Sequence, residues 1–188
     1  DYEVKLRLDP VKVLDLDQGL TGDVKLAFNV LSTVTKLNVQ FLDIRCKELY
    51  SAGWSPRIRK AENKDDIELT YKRRYTITDG DIDAVLTTAN QDGFHAGDTE
   101  FEAQVEWGYQ KQTLSISHKD NVNDSGNDGM GLPGTSRSRQ ILISKAPDKF
   151  DNWKYAEWGT NALLVSRIFG PVLARRFTGE WNGLELYL

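Results

Sequence analysis

The 188-residue chain holds a single cysteine, Cys46, so no internal disulfide can staple the fold. That leans toward a reducing compartment such as the cytoplasm, although secreted chains without disulfides also occur. Long apolar runs are missing too. The longest, Ala162–Leu163–Leu164–Val165, is far short of the roughly 20 residues that a membrane-spanning helix needs. No signal-peptide pattern and no glycine-rich phosphate loop are visible. Charge of one sign is also lacking: 24 basic against 28 acidic residues leave a net charge of −4. Without a lone basic stripe, that argues against nucleic acid as partner. Two histidines and one cysteine are thin for zinc. His95, His118 and Cys46, taken with Ser115 or Ser117, make no nucleophilic constellation.

What is present is enough apolar material for a folded core, 39% of the residues, in one domain spanning 1–188. Strand signals dominate. Residues 2–8 alternate Glu3, Lys5 and Arg7 against Val4, Leu6 and Leu8, and residues 66–75 and 100–107 alternate in the same way. Segments 25–31, 37–44, 57–59, 111–117, 136–144, 172–178 and 183–188 also read as strands, with Gly53 and Pro56 marking a turn. Helical text is scarcer: residues 79–91, then one broken or two short helices over 148–168. Residues 118–134 read as a loop, a lid or plain surface. The expectation is a β-rich α+β domain of about eight or nine strands, closed as a barrel or packed as a sandwich to limit exposed edges.

The polar faces are unusually ionic. Lys5 and Arg7, Arg57 and Arg59, Lys72 and Arg74, and Arg137 and Arg139 are basic pairs spaced by two, while Glu100, Glu102 and Glu106 form an acidic strip. Spacing by two puts each pair on one side of its strand. Such faces either look outward to water or enclose a wet lumen, since buried like charges are costly unless paired or ligated. A cationic lumen would suit a chain of phosphates, and clustered carboxylates would suit Mg²⁺ or Mn²⁺.

The first strand, Asp1–Tyr2–Glu3–Val4–Lys5–Leu6–Arg7–Leu8, resembles the acid–x–acid–x–Lys signature of the CYTH superfamily, the triphosphate tunnel metalloenzymes. Asn38–Val39–Gln40–Phe41–Leu42–Asp43 with Leu49–Tyr50, Arg57–Ile58–Arg59 and Glu68–Leu69–Thr70–Tyr71–Lys72 are similar, in order, to its following strands. The likeness covers most of the chain and is clearest through residue 75. It implies a closed tunnel of about eight antiparallel strands with the charged faces inside and a few helices outside.

It also implies metal-dependent hydrolysis of a terminal phosphoryl group from inorganic tripolyphosphate or an organic triphosphate. The resemblance assigns metal binding to Asp1, Glu3, Glu102 and Glu185 with Mg²⁺ or Mn²⁺ as cofactor. It assigns catalysis to Lys5, Glu3 and Glu106, and phosphate binding to Lys5, Arg7, Arg57, Arg59, Lys72, Arg74, Arg137 and Arg139. Tyr187 stands where a second C-terminal acid is usual. The partners expected are a small-molecule triphosphate, no membrane, and a monomer or homodimer. A non-catalytic polyphosphate or nucleotide binder and an adenylate cyclase are the alternatives on the same fold. A β-sandwich interaction module is the alternative outside it.

Overall fold

The computed structural model describes residues 1–123 and 129–188. In chain order the elements are β1 (Tyr2–Lys5), α1 (Pro10–Val13), α2 (Gly22–Ala27), β2 (Val34–Asp43), α3 (Glu48–Ser51) and β3 (Trp54–Ala61). Then come β4 (Asp66–Ile77), α4 (Ile82–Gln91), β5 (Glu102–Gly108), β6 (Gln112–Asn123) and α5 (Thr135–Ser144). The chain closes with α6 (Asp148–Asp151), α7 (Trp158–Leu164), β7 (Arg167–Trp181) and β8 (Leu184–Tyr187). Among the described residues no helix is long and apolar enough to cross a membrane.

The strands join one eight-stranded sheet in the order β1-β5-β6-β4-β3-β2-β7-β8. The expected α+β class holds, but the closed antiparallel barrel does not. Strand β1 runs parallel to β5, with Glu3 opposite Glu106, and β1 and β8 lie at opposite edges of the order without pairing. Both edge strands have only four residues. The sheet therefore curls into an open half-barrel.

Alternation along the central strands sorts side chains to two faces. Ile58 on β3, Leu69 and Tyr71 on β4, and Leu114 and Ile116 on β6 point to the convex face. There they join Leu142, Phe150 and Leu163 from the helices in the main core. Ile58, Leu69, Phe150 and Leu163 are fully buried, each worth about 1.5–3 kcal/mol of transfer free energy. Trp54 caps this layer, edge-on to Phe150 at 5.1 Å and to Trp153 at 5.8 Å between ring centroids.

Two segments read as strands are helical. At 136–144 the Arg137–Arg139 spacing of two reads as strand, yet Ser138, Ile141 and Leu142 are the buried positions of α5, an i, i+3, i+4 stripe that belongs to a helix. The Ser138 hydroxyl accepts from Gln40 Nε2 at 2.8 Å and donates to the Pro133 carbonyl at 2.8 Å, which ties α5 to the convex side of β2. At 25–31, Asp23 in the first turn favours the helix start of α2, and β2 starts only at Val34. The expected 118–134 loop is strand through Asn123, and its residues 124–128 lie outside the described residues. Strand β7 runs 15 residues, taking in 172–178, and β8 matches the expected last strand.

Candidate functional site

The concave face carries the charges. Register aligns Arg57 with Thr70, Arg59 with Glu68 and Ser55 with Lys72 across β3 and β4, then Lys72 with Ser117 and Arg74 with Ser115 across β4 and β6. Strand β5 adds Glu102, Gln104 and Glu106 opposite Ser117, Ser115 and Thr113. Paired residues share a face, so Glu3, Lys5, Arg57, Arg59, Lys72, Arg74, Glu102 and Glu106 all lie on the side away from the core.

Two carboxylates organise this surface. Glu106 accepts from Lys72 Nζ at 2.8 Å, Lys5 Nζ at 2.9 Å and Ser115 Oγ at 2.7 Å. Burial opposes its charge, but hydrogen bonds from Lys72, Ser115 and Lys5 outweigh that and hold its carboxyl down to about 2. A carboxylate so depressed is a poor proton acceptor at neutral pH. Glu106 thus anchors two ammonium groups.

Glu68 accepts from Arg59 Nη2 at 2.6 Å and Thr70 Oγ1 at 3.2 Å, and its carboxylate is 3.6 Å from Arg57 Nη2. Burial, then the neighbouring Arg59, push the Arg57 guanidinium below its ordinary value, with Glu68 working the other way. Arg57 Nε is buried without a hydrogen-bond partner, an unfilled donor in a cationic row. Burial likewise lowers Lys72, against its bond to Glu106.

The ends of β1, β2, β4 and β5 meet the starts of β3, β6 and β7 at one mouth, which opens as a cleft of about 1020 Å³. A cavity lined at once from β1 and β7 requires the sheet to curl. Five cations line it, Lys5, Arg7, Lys47, Arg74 and Lys111, against Asp43 and Glu106. Both carboxylates are already engaged: Asp43 receives the backbone N–H groups of Ile44, Leu49 and Tyr50 at 2.8, 3.0 and 3.0 Å, fixing α3 at the rim. Among the described residues Arg7, Lys47, Arg74 and Lys111 enter no ion pair. Gly53 makes the turn from α3 into β3 possible. At its φ of +84° a Cβ would lie 1.7 Å from Arg73 Nη1 and 2.9 Å from the Arg74 carbonyl, so only glycine fits.

Several expected site residues stand elsewhere. Arg137 and Arg139 are on α5, on the convex side. Arg137 bonds Gln140 Oε1 at 2.9 Å, and Arg139 Nε donates to the Ser166 carbonyl at 2.8 Å, so neither faces the cleft. Glu185 sits on β8, across the whole sheet from Glu3, and takes a hydrogen bond from Tyr187. Glu102 is exposed and paired to Lys119. Asp1 is exposed, its carbonyl accepting from Val105 at 2.9 Å. Glu3 is 3.0 Å from Lys5. Among the described residues no three carboxylate, imidazole or thiol groups gather to hold a metal ion. Mg²⁺ and Mn²⁺ need only one or two carboxylates beside substrate phosphates and waters, and no chemical step is assigned to a metal.

Glu68, Thr70 and Ser115 also join this ionic row, although the resemblance gives the first two no role and Ser115 enters the sequence reading only as a rejected nucleophile. Their signal was available: Glu68 and Thr70 share the face of Lys72 by spacing of two. Their pairing with Arg57 and Arg59 needed the register between β3 and β4.

No known protein family and no curated protein matches the sequence. Among solved structures the chain is similar to a protein from Hippeastrum named as an adenylyl cyclase and described as having a dominant triphosphatase activity. That likeness has a TM-score of 0.49 at 16% identity, over 88% of this chain and 62% of the other. The chain thus spans under two thirds of that protein's length.

Proposed function

We propose that the concave face binds the phosphate chain of a triphosphate, inorganic or organic, and that the protein is a phosphohydrolase acting on its terminal phosphoryl group. One observation carries this reading: the cleft is lined by five cations while both of its carboxylates are saturated by protein donors. Lys5 is paired to Glu3 and Glu106, but Arg7, Lys47, Arg74 and Lys111 enter no ion pair among the described residues, so the lining has surplus positive charge to offer. A chain of phosphates is the ligand class that matches several cations in a row. The positions singled out by the CYTH resemblance, Lys5, Arg57, Arg59, Lys72 and Arg74, fall on this one face. That convergence supports the family's chemistry over a β-sandwich module.

In this reading Arg57 and Arg59 grip non-bridging oxygens, with Glu68 holding the two forks in place and Arg57 Nε gaining the partner it lacks. Lys5 and Lys72, anchored by Glu106, offset the charge that develops on the oxygens as the phosphoanhydride P–O bond breaks. Water supplies the nucleophile, so no serine or cysteine is needed.

A second reading is favoured by the engaged state of the carboxylates: the same cleft holds a triphosphate without turning it over. One assay separates the two. Phosphate release from tripolyphosphate and from nucleoside triphosphates is followed with Mg²⁺, with Mn²⁺ and with EDTA, alongside calorimetric binding of the same compounds. Release above background supports the hydrolase. Binding without release leaves the binder, and cyclic nucleotide formed from ATP replaces both with a cyclase. Absence of binding in all conditions overturns the phosphate reading altogether.

A further inference from the structure

One edge of the sheet is open and carries a self-complementary sequence. Among the described residues β1 pairs with β5 alone. The Asp1 carbonyl accepts from the Val105 N–H of β5. Backbone groups alternate in direction along a strand, so Asp1, Glu3 and Lys5 turn theirs toward β5. Those of Tyr2 and Val4 therefore point off the edge, and Leu6 continues their series in the sequence. The side chains of Tyr2, Val4 and Leu6 are exposed as well, at 72%, 70% and 69%. Tyr2 and Val4 stand opposite Val105 and Trp107, and Tyr2 meets the half-exposed Trp107 edge-on at 6.4 Å. Between these apolar positions the charges run acid, acid, base, base: Asp1, Glu3, Lys5, Arg7.

An exposed strand edge is a template for another strand, and the charges of this one decide how a second copy of the chain fits it. Antiparallel addition needs Tyr2, Val4 and Leu6 to face the same set of residues in the partner, because those carry the outward backbone groups. The registers that satisfy this differ by steps of two residues. One sets Glu3 opposite the partner's Glu3, and another sets Lys5 opposite the partner's Lys5; like charges directly opposite destabilise a pair. The register between them puts Val4 opposite the partner's Val4 and Tyr2 opposite the partner's Leu6. It also sets Glu3 against the partner's Lys5 and Asp1 against the partner's Arg7, so every charge faces its opposite. Glu3 and Lys5 then fall at the non-hydrogen-bonded positions of the ladder, where facing side chains are closest. The other open edge, β8, carries Glu185 as its only charge and has no such match.

We infer that the protein self-associates through this edge as a two-fold dimer, β1 adding antiparallel to the same strand of a second copy with Val4 at the axis. A two-fold contact uses one patch on both copies and closes at two, which covers the edge without growing a filament. It brings the exposed Tyr2, Val4 and Leu6 together on one side and the charged residues together on the concave side. The inference goes beyond the phosphate reading and does not rest on it. So short a strand buries less than the roughly 1,200 Å² of a standard interface, which sets the dissociation constant on the order of 10 µM.

Sedimentation equilibrium of the intact chain from about 1 to 100 µM should show the average mass rising toward twice that of one copy. Val4→Asp sets two carboxylates face to face at the axis and should weaken association at least about tenfold. Glu3→Lys alone and Lys5→Glu alone each create like-charge pairs across the edge, and each should weaken it about tenfold. Mixing those two variants in equal amounts restores opposite charges between unlike copies, so the mixture should regain the dimer. Both variants alter residues placed in the phosphate site, so the readout is mass and not activity. Val4→Cys, with Cys46→Ser to remove the native thiol, tests the axis directly. Facing Cα atoms about 5.5 Å apart suit a disulfide, and oxidation should give a covalent dimer on a non-reducing gel. The mass of a single copy across the whole range overturns the inference, as does a dimer that Val4→Asp leaves intact or that the mixture fails to regain. Mass climbing past two copies means head-to-tail addition of β1 to β8 and overturns it too.

Discussion

The concave surface divides into two halves with opposite chemistry. From β5 through β6 and β4 to β3 it is ionic: Glu106, Ser115, Lys72, Arg74, Glu68, Arg57 and Arg59 stand in cross-strand rows, and charge-assisted contacts join Glu106 to Lys72 and Ser115 and Glu68 to Arg59 and Arg57. From β2 to β7 its middle rows are apolar: Phe41, Val39 and Leu37 stand beside Phe169, Val172 and Ala174, with Asp43 and Arg167 at one end and Thr35 and Arg176 at the other. The same curled sheet supplies both, and Phe41 against Arg57 is the seam. A uniformly ionic bore would have been suited to a bare polyanion. A split one sets an ionic row and an apolar row side by side on one face.

The largest effect is expected on the ionic half. Arg57 and Arg59 are both mostly buried and share Glu68 as their counter-ion, so a ligand reaching them meets pre-aimed donors. The double variant Arg57→Ala with Arg59→Ala should weaken tripolyphosphate binding at least about a hundredfold, from about 1.5–3 kcal/mol for each charged hydrogen-bonding group. Calorimetry checks it. A loss under about threefold would mean that the phosphate chain does not lie along β3 at all.

Next comes Lys72→Met, which removes one ammonium but keeps the stem. Tripolyphosphate affinity should fall about tenfold. If Lys72 offsets charge in the transition state, kcat should drop further than the change in KM accounts for. An unchanged kcat with a raised KM would confine Lys72 to ground-state binding.

How much of this division was legible in the sequence follows from the same residues. Alternation over 66–75 and at 57–59 sorted Arg57, Arg59, Lys72 and Arg74 to one face, because a strand's period of two is a local property. The apolar half was hidden. Phe41, Val39 and Leu37 alternate with Asn38 and Gln40, and such a pattern reads as an ordinary half-buried strand with the apolar side inward. Here the polar side is the buried one: Gln40 donates to Pro133 and Ser138 beneath α5, and Asn38 donates to Met130 at 2.8 Å. Only tertiary packing by α5 could invert that face, and α5 itself was misread because Arg137 and Arg139 mimic a strand's spacing. The parallel pairing of β1 with β5 was equally out of reach, since a four-residue edge strand carries no local mark of its partner. The motif Glu3-x-Lys5 shares its face with Glu106, which Lys5 meets there.

Glu106 offers a pH test confined to the ionic half. Its carboxyl is held at about 2 in the folded chain, against an unfolded value of about 4.3. A depressed acid contributes stability that is fully present above the unfolded value and is lost as pH falls through the folded one. That gap corresponds to about 3 kcal/mol. Chemical denaturation of the unaltered protein should show stability falling between about pH 4.5 and pH 2, and Glu106→Gln should lack that share of the slope. At neutral pH the variant should be less stable, because Lys5 and Lys72 are left facing each other without their shared anion. Identical pH profiles for the two proteins would show that the anchor is not built as described.

The smallest expected effect lies on the apolar half, and it sharpens the contrast because so little should happen. Val172 is 56% exposed and faces the concave side opposite Val39. Val172→Ser removes apolar area that is already largely wet, so thermal stability should change by no more than about 0.5 kcal/mol. Tripolyphosphate binding should not change at all, since no phosphate contact is assigned to β7. Were Val172→Ser instead to destabilise the protein by an amount typical of core truncation, about 2 kcal/mol or more, the apolar half would have to be covered in solution. The wall would then belong to the core rather than to the open face. A null result in stability is what a half-open apolar wall, already largely wet at Val172, produces.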